Sequence, residues 1–191
     1  MGIKNLKKFL DKYASSSILN KKYEDYENKL IAIDTSLVLY KYISAMRKTG
    51  KDLTNKDGIV TSHLHGLIFL INKLLSHKIT PVFVFDGKPP DIKKNTLAKR
   101  QDNRKNAEDK LLEDLTPEKK ISYFMQSTKI SNDIIKETKI MLKTLGIPYV
   151  DSPEEADAQM VCLLEKKLVY AVATEDMDLL TFGADRVLKN F

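Results

Sequence analysis

The feature that most constrains the fold is a set of four short apolar runs that each end in aspartate. KLIAID ends at Asp34, TPVFVFD at Asp86, GIPYVD at Asp151 and LVYAVATED at Asp176. The runs lack the polar–apolar alternation of a strand with one solvated face, so they are typical of a parallel sheet covered on both faces. The final DRVLKNF predicts one more short strand.

Helical patterns lie between these runs. We expect helices over about residues 36–47, 62–76, 89–113, 132–145 and 153–166. The fourth ends at Gly146, a common helix stop. Strands that alternate with helices predict an α/β fold, with a mainly parallel central sheet flanked by helices on both faces.

One segment, 113–131, interrupts this alternation. In it Thr116 is placed to cap a short helix that has Pro117 at its first position. Long insertions of this kind are often functional loops or lids. We therefore divide one globular domain into an N-terminal region 1–107, an excursion 108–131 and an internal region 132–191.

Composition excludes several classes of protein. Hydrophobic residues make up 42% of the 191 residues, enough for a core, and the net charge of +6 suits a polyanionic partner without proving one. The single cysteine cannot form an internal disulfide, which fits a reducing compartment, and with three histidines it disfavours a structural zinc site. No apolar run approaches the ~20 residues of a membrane span. We expect an intracellular monomer without membrane association.

Acidic residues gather at the predicted strand ends. Asp34, Asp86 and Asp176 each close a run, and ligands of open parallel sheets bind outside the carboxyl ends of the strands. Asp178 follows Asp176 by two residues, and alternate residues of an extended chain share a side. These four carboxylates are therefore expected to converge on one edge of the sheet.

Two further acids, Glu155 and Asp157, fall in the first turn of the helix after the third strand, near the same edge. Six carboxylates in one place repel unless a cation or protons neutralise them. Ligands that are all oxygen indicate a hard cation such as Mg²⁺ or Mn²⁺. Two such ions about 4 Å apart are the usual arrangement for phosphodiester hydrolysis.

Structural alternatives stay open for these acids. An aspartate after a strand is commonly a turn residue or a helix cap. Glu155 also fits a capping box, in which Ser152 is the N-cap, Pro153 the first helical residue and Glu155 the third.

Basic residues follow the second strand. Lys93, Arg100 and Arg104 are spaced by seven and four, so they share one face of the predicted helix. A solvated charged surface is the structural alternative. Because the stretch comes soon after Asp86, we favour a role in binding an anion.

Seven stretches carry a resemblance to a known family. They are MGIKNL at 1–6, IAIDTS at 31–36, TSHLHG at 61–66, PVFVFDGKPP at 81–90, LAKR at 97–100, LGIPYVDSPEEADA at 145–158 and ATEDMDLLTFG at 173–183. In these the chain resembles the flap endonuclease family of structure-specific 5′ nucleases, part of the wider XPG group. FDGKPP together with ATEDMD is more similar to the flap endonuclease branch than to the exonuclease branch.

The resemblance implies a PIN-like 5′ nuclease fold with a helical arch or cap at 108–131. It implies a hydrolase of replication and repair that cleaves branched DNA with a 5′ flap, using two Mg²⁺ ions, with Mn²⁺ as an alternative. The metal ligands it implies are Asp34, Asp86, Glu155, Asp157, Asp176 and Asp178. Asp157 departs from the family's usual glutamate and is one methylene shorter.

The same resemblance implies contacts with DNA. Lys93 and Arg100 would act on the scissile phosphate, and Arg104 shares their helix face. Tyr40 would stack on a base, with a core-packed tyrosine as the alternative. Arg47 and Lys129 match positions that contact the DNA backbone.

Length is the largest departure from the family. The family continues with another metal-binding aspartate, a helix–two-turn–helix motif and often a tail that binds the sliding clamp. We therefore expect at most residual cleavage by these 191 residues alone. The alternatives are a 5′→3′ exonuclease of the same superfamily and a truncated DNA-binding fragment. A eukaryotic source would imply the nucleus.

Overall fold

Five parallel strands form the central sheet, in the order β3-β2-β1-β4-β5. The strands are β1 (Leu30–Asp34), β2 (Thr80–Phe85), β3 (Tyr149–Asp151), β4 (Ala171–Ala173) and β5 (Val187–Leu188). The chain builds outward from β1 to β3 and then returns to place β4 on the other side of β1. The strand order therefore reverses between β1 and β4, which is where open parallel sheets bind ligands.

The computed structural model describes residues 3–191, so Met1 and Gly2 of the MGIKNL stretch lie outside the described residues. The chain divides into two compact units. The first contains the chain up to Asp34, Ile71–Gly87 and Ile147–Phe191, and the second contains Thr35–Leu70 and Lys88–Gly146.

The first unit holds the sheet and its core. Ile31, Ala32 and Phe83 of the central strands are fully buried. Helix α7 (Ala156–Glu165) packs on the sheet, where Met160 is also fully buried. Helix α1 (Leu6–Tyr13) belongs to the same unit and has no buried residue. Burial of these apolar side chains is what fixes the strands in register.

The second unit is helical. It contains α2 (Thr35–Arg47), the first nine residues of α3 (Ser62–Ser76), and three more helices: α4 (Lys94–Lys110), α5 (Pro117–Gln126) and α6 (Asn132–Thr144). Helix α5 packs against α4 and α2. None of the helices within residues 3–191 is long and apolar enough to cross a membrane.

The α/β class with a parallel sheet flanked by helices is confirmed, but three predicted boundaries are wrong. The helix expected at 89–113 is a 3₁₀ turn at Asp91–Lys93 followed by α4, and the helix expected from residue 153 begins at Ala156. Strand β4 ends at Ala173 rather than at Asp176. Helix α5 begins at Pro117 as predicted, although its N-cap residue Thr116 makes no side-chain capping hydrogen bond.

Candidate active site at the carboxyl edge of the sheet

All six predicted acids belong to the first unit, where β1, β2 and β4 lead to four of them and the segment from β3 into α7 carries the other two. Asp34 is the last residue of β1 and pairs in register with Val84 of β2. The preceding residue, Ile33, pairs with Ala173, where β4 ends. Asp86 lies two residues beyond Val84 and Asp176 three beyond Ala173. The acids of β1 and β4 therefore flank the switch point of the sheet.

Backbone contacts fix the loop that carries Asp86. Oδ1 of Asp86 accepts a hydrogen bond from the backbone N–H of Ala156, at 3.0 Å, and the N–H of Gly87 donates to the Glu154 carbonyl. A Cβ atom on Gly87 would lie 2.6 Å from the Pro153 carbonyl oxygen and would overlap that of Ser152. Glycine at position 87 is what lets the loop after β2 lie against the segment that leads into α7.

The same contacts show that the capping-box interpretation of Glu155 is wrong. Helix α7 begins at Ala156, so Glu155 is its N-cap residue rather than its third residue, and its side chain makes no capping hydrogen bond. Ser152 lies outside the helix, and its backbone N–H donates to the Phe85 carbonyl at 2.9 Å. Asp157 does lie in the first turn of α7, as predicted.

Asp176 and Asp178 are brought together by a helical turn and not by an extended chain. The 3₁₀ turn Met177–Leu180 follows the end of β4, and Asp176 is its N-cap residue. Oδ1 of Asp176 accepts a hydrogen bond from the backbone N–H of Asp178, at 3.0 Å. Oδ1 of Asp178 in turn accepts from the N–H of Ile3, at 2.8 Å. The prediction that both acids lie at this edge stands, but its geometric reason is wrong.

Glu175, the third acid of this stretch, has a different role. Its Oε1 accepts a hydrogen bond from the backbone N–H of Asn190, at 3.0 Å, and its Oε2 lies 3.9 Å from the Lys189 ammonium. Glu175 therefore fastens the chain after β5 to the loop after β4.

The chemistry of these acids fits a hard divalent cation, because every side-chain donor is a carboxylate oxygen and all six residues lie at or after the carboxyl ends of strands of one sheet. Backbone N–H groups orient Asp86, Asp176 and Asp178 through one oxygen each, as supporting hydrogen bonds commonly do for metal ligands. Within residues 3–191 no three acidic, histidine or cysteine side chains converge on a single metal position. The structure thus shows a set of suitable ligands rather than an assembled coordination sphere.

The predicted phosphate-binding residues belong to the second unit. Lys93 ends the 3₁₀ turn and is the N-cap residue of α4. Arg100 and Arg104 lie one turn apart on that helix, and Nε of Arg104 donates to the Arg100 carbonyl at 3.3 Å. Ala107 is the buried residue of α4. Almost the whole helix therefore presents polar side chains, as either a solvated surface or a nucleic-acid-binding helix would.

The other predicted DNA-binding residues differ in exposure to solvent; they are Tyr40, Arg47 and Lys129. Tyr40 is 46% exposed, so the alternative of a core-packed tyrosine is wrong. Lys129 is exposed. Arg47 is largely buried: its guanidinium pairs with Asp52 through two contacts of 3.2 Å and lies 4.4 Å from the centre of the Phe124 ring. The structure gives Arg47 an internal role, while its contact with DNA stays a prediction.

Sequence reasoning missed the structural role of TSHLHG. His63 is fully buried, with Nε2 3.0 Å from Oε2 of Glu137, and burial lowers the pKa of His63 although Glu137 acts in the opposite direction. A Cβ on Gly66 would overlap the side chain of Tyr42. Ser62 accepts a hydrogen bond from the backbone N–H of Leu53, at 2.9 Å. The motif was visible, but its partners are distant in sequence.

Comparisons with known proteins agree with this architecture. Residues 1–107 match the model of the XPG N-terminal domain and residues 146–191 that of the XPG I-region. Flap endonuclease 1-A of Oryza sativa subsp. japonica is 43% identical over 194 residues, a match that covers 100% of this chain and 51% of the rice protein.

Two solved structures are similar across most of the chain. The catalytic core of Rad2 in complex with DNA substrate has a TM-score of 0.69 and 29% identity, and the match covers 99% of this chain and 50% of Rad2's. Flap endonuclease-1 from Methanococcus jannaschii has a TM-score of 0.65 and 34% identity, covering 89% of this chain and 55% of its own.

The fold places the chain in the class of proteins to which the catalytic core of Rad2 and flap endonuclease-1 belong. Within that class, the chain belongs to the XPG family. It spans about half the length of the curated relatives it matches.

Proposed function

We propose that this chain carries the catalytic acids of a structure-specific 5′ nuclease that hydrolyses phosphodiester bonds in branched DNA with a 5′ flap, for replication and repair. The observation that carries the proposal is the delivery of acids from β1, β2 and β4 to one edge of the sheet, at its switch point. Relatives about 40% identical over the whole chain are named flap endonuclease, which supports the flap substrate.

The proposed metal ligands are the six acids of the sheet edge, for two Mg²⁺ ions or, as an alternative, Mn²⁺. These acids would hold the divalent ions, which when bound would supply water activation and charge stabilisation for the hydrolysis. The chain's own contribution is orientation: the N–H groups of Ala156 and Asp178 hold the carboxylates of Asp86 and Asp176. Asp157, with its shorter side chain, would reach a metal at longer distance or through water.

Residues of the second unit would bind the DNA. Lys93 and Arg100 are proposed to stabilise the charge that develops on the scissile phosphate, because fixed cations favour that charge in the transition state. Arg104, Arg47 and Lys129 would contact other phosphates. The segment 108–131, which contains α5, would form the arch or cap through which the 5′ end passes.

Tyr40 would stack on a base near the cleaved bond. Its exposed ring suits this role, because stacking on an aromatic face accepts any base and so fits an enzyme that reads structure rather than sequence. Binding of a sliding clamp, a monomeric state and a nuclear location stay predictions.

The metal site can be tested with two neighbouring substitutions that remove the same charge. Asp176→Asn should weaken binding of Mn²⁺ measured by calorimetry, with loss of one of the two expected sites. It should also lower the residual cleavage of a double-flap substrate to the background measured in EDTA. Glu175→Gln keeps an oxygen for the Asn190 N–H and should leave Mn²⁺ binding close to that of the unaltered protein.

Equal losses in the two variants would refute the assignment of Asp176 as a ligand. The substrate class is tested separately, by comparing cleavage of the double flap with that of a blunt duplex. A preference for the blunt end would favour an exonuclease and reject the flap assignment.

A further inference from the structure

An apolar cavity of about 470 Å³ lies along helix α5 in the second unit. Its lining residues are Gly50, Leu111, Pro117, Lys120, Ile121 and Phe124. The volume falls within the roughly 300–1,000 Å³ of pockets that bind small organic groups. The lining combines apolar surface with one cation, Lys120, and contains no acid.

One wall of this cavity is held in place by buried polar contacts. The guanidinium of Arg47 lies over the Phe124 ring and donates to the Phe124 carbonyl at 3.1 Å. Arg47 is itself fixed by its ion pair with Asp52. An aromatic ring fixed in advance loses little conformational freedom when a ligand stacks against it.

The charge of the lining favours an anionic occupant. Lys120 is the charged side chain of the lining, and the Asp52 carboxylate, two residues after Gly50, is paired with Arg47. A lysine beside an apolar, aromatic-walled cavity matches a nucleotide, whose base is flat and apolar on its faces and whose phosphate is negative. An apolar side chain of another protein would use the cavity but not the lysine.

We propose that this cavity binds one base of single-stranded DNA, with Lys120 on the adjoining phosphate. The proposal rests on the proposed function, since a 5′ flap supplies the single strand. It adds a specific contact that α5 makes with that strand. The contact is tolerant of sequence, because every base has a face that can pack on Phe124.

Two matched pairs of variants test the cavity by fluorescence anisotropy with a labelled oligothymidylate, in EDTA so that no divalent cation is bound at the acidic edge. Lys120→Ala and Lys119→Ala remove the same charge from α5, but Lys119 is not part of the lining. Lys120→Ala should lower the slope of log affinity against log salt by about 0.7, the value for one phosphate contact on single strands. Lys119→Ala should change that slope by less than half as much.

The second pair is Ile121→Glu and Ser122→Glu, which add the same charge at adjacent positions, with Ser122 exposed. Ile121→Glu should weaken binding about fivefold or more, the lower end for loss of one base contact, and Ser122→Glu should weaken it less. An oligonucleotide of abasic sites should bind the unaltered protein at least about fivefold more weakly than oligothymidylate, and this difference should be smaller in Ile121→Glu, in which Tyr40 can still stack on a base.

Circular dichroism establishes whether each variant is folded. If Ile121→Glu does not fold, the test rests on the two lysine variants. Equal effects within both pairs, or equal binding of the abasic and thymidine strands, would overturn the base-binding role. Absence of oligothymidylate binding by the unaltered protein would also overturn it. Failure of the proposed function is distinguished by the Mn²⁺ and cleavage measurements on Asp176→Asn, which do not depend on the cavity.

Discussion

Arg47 offers the sharpest test of how the second unit is held together. Its side chain is 17% exposed and that of its partner Asp52 is 12% exposed. Besides this ion pair, its terminal nitrogen donates to the Phe124 carbonyl at 3.1 Å and lies 3.2 and 3.3 Å from the hydroxyls of Ser127 and Thr128. One side chain at the end of α2 therefore binds the last turn of α5 and the residues that follow it.

The expected cost of Arg47→Ala is set by the carboxylate it leaves behind. Removing one partner of a buried ion pair costs about 3–5 kcal/mol, because the other charge stays desolvated. Asp52 is not completely buried, so we expect the lower end, about 3 kcal/mol in the free energy of unfolding. That loss is a large share of the roughly 5–15 kcal/mol that stabilises a typical domain. Arg47→Lys keeps the charge but cannot form the two-point contact, and should cost about 1–2 kcal/mol.

Urea unfolding followed by circular dichroism measures these values. Arg100→Ala, on the exposed surface of α4, is the control and should cost less than about 0.5 kcal/mol. Asp52→Ala combined with Arg47→Ala should be less destabilising than the sum of the single changes, by about 1–3 kcal/mol, because the double variant leaves no buried charge. A cost for Arg47→Ala within 0.5 kcal/mol of the control would refute the structural role.

Two further predictions concern the sheet edge and the buried histidine. Gly87→Ala should lower the free energy of unfolding by about 1–3 kcal/mol, because the added Cβ would overpack against the Ser152 carbonyl. It should also weaken Mn²⁺ binding. Unchanged urea and Mn²⁺ titrations would contradict both expectations. Because burial lowers the pKa of His63 despite Glu137, the unfolded chain takes up a proton that the folded one resists, so stability should fall as the pH drops below about 6.5. His63→Gln should flatten that part of the stability–pH curve, while His65→Gln, at an exposed position, should not.

The strand-end acids Asp34 and Asp86 were predictable because the sequence shows where their buried strands end. A continuous apolar run indicates a buried parallel strand, and the residue after it must emerge at the carboxyl edge. Asp34 and Asp86 follow this logic directly. The arrangement of Asp176 and Asp178 was not predictable, because the sequence does not show that β4 stops at Ala173, where its pairing with β1 also ends.

The start of α7 shows how tertiary contacts override a local signal. Ser152 to Glu155 satisfies the capping-box pattern, which depends on a few neighbouring residues only. In the folded chain the Ser152 N–H donates to the Phe85 carbonyl, and the Glu154 carbonyl accepts from the Gly87 N–H. These bonds hold residues 152–154 beside the end of β2, so the helix begins three residues later than the pattern predicts. A single sequence does not contain the geometry of that contact.

The carboxylate of Asp176 has two roles that substitution can separate. It caps the 3₁₀ turn through the Asp178 N–H, and it is proposed to hold a cation. Asparagine keeps an oxygen for the capping bond and removes only the charge, so Asp176→Asn should unfold at the same urea concentration as the unaltered protein yet bind Mn²⁺ more weakly. Alanine removes both, and should additionally cost about 1 kcal/mol, the typical value of an N-cap. If both variants keep Mn²⁺ binding and only alanine is destabilising, Asp176 is a capping residue and the cation must be held by the other acids of the edge.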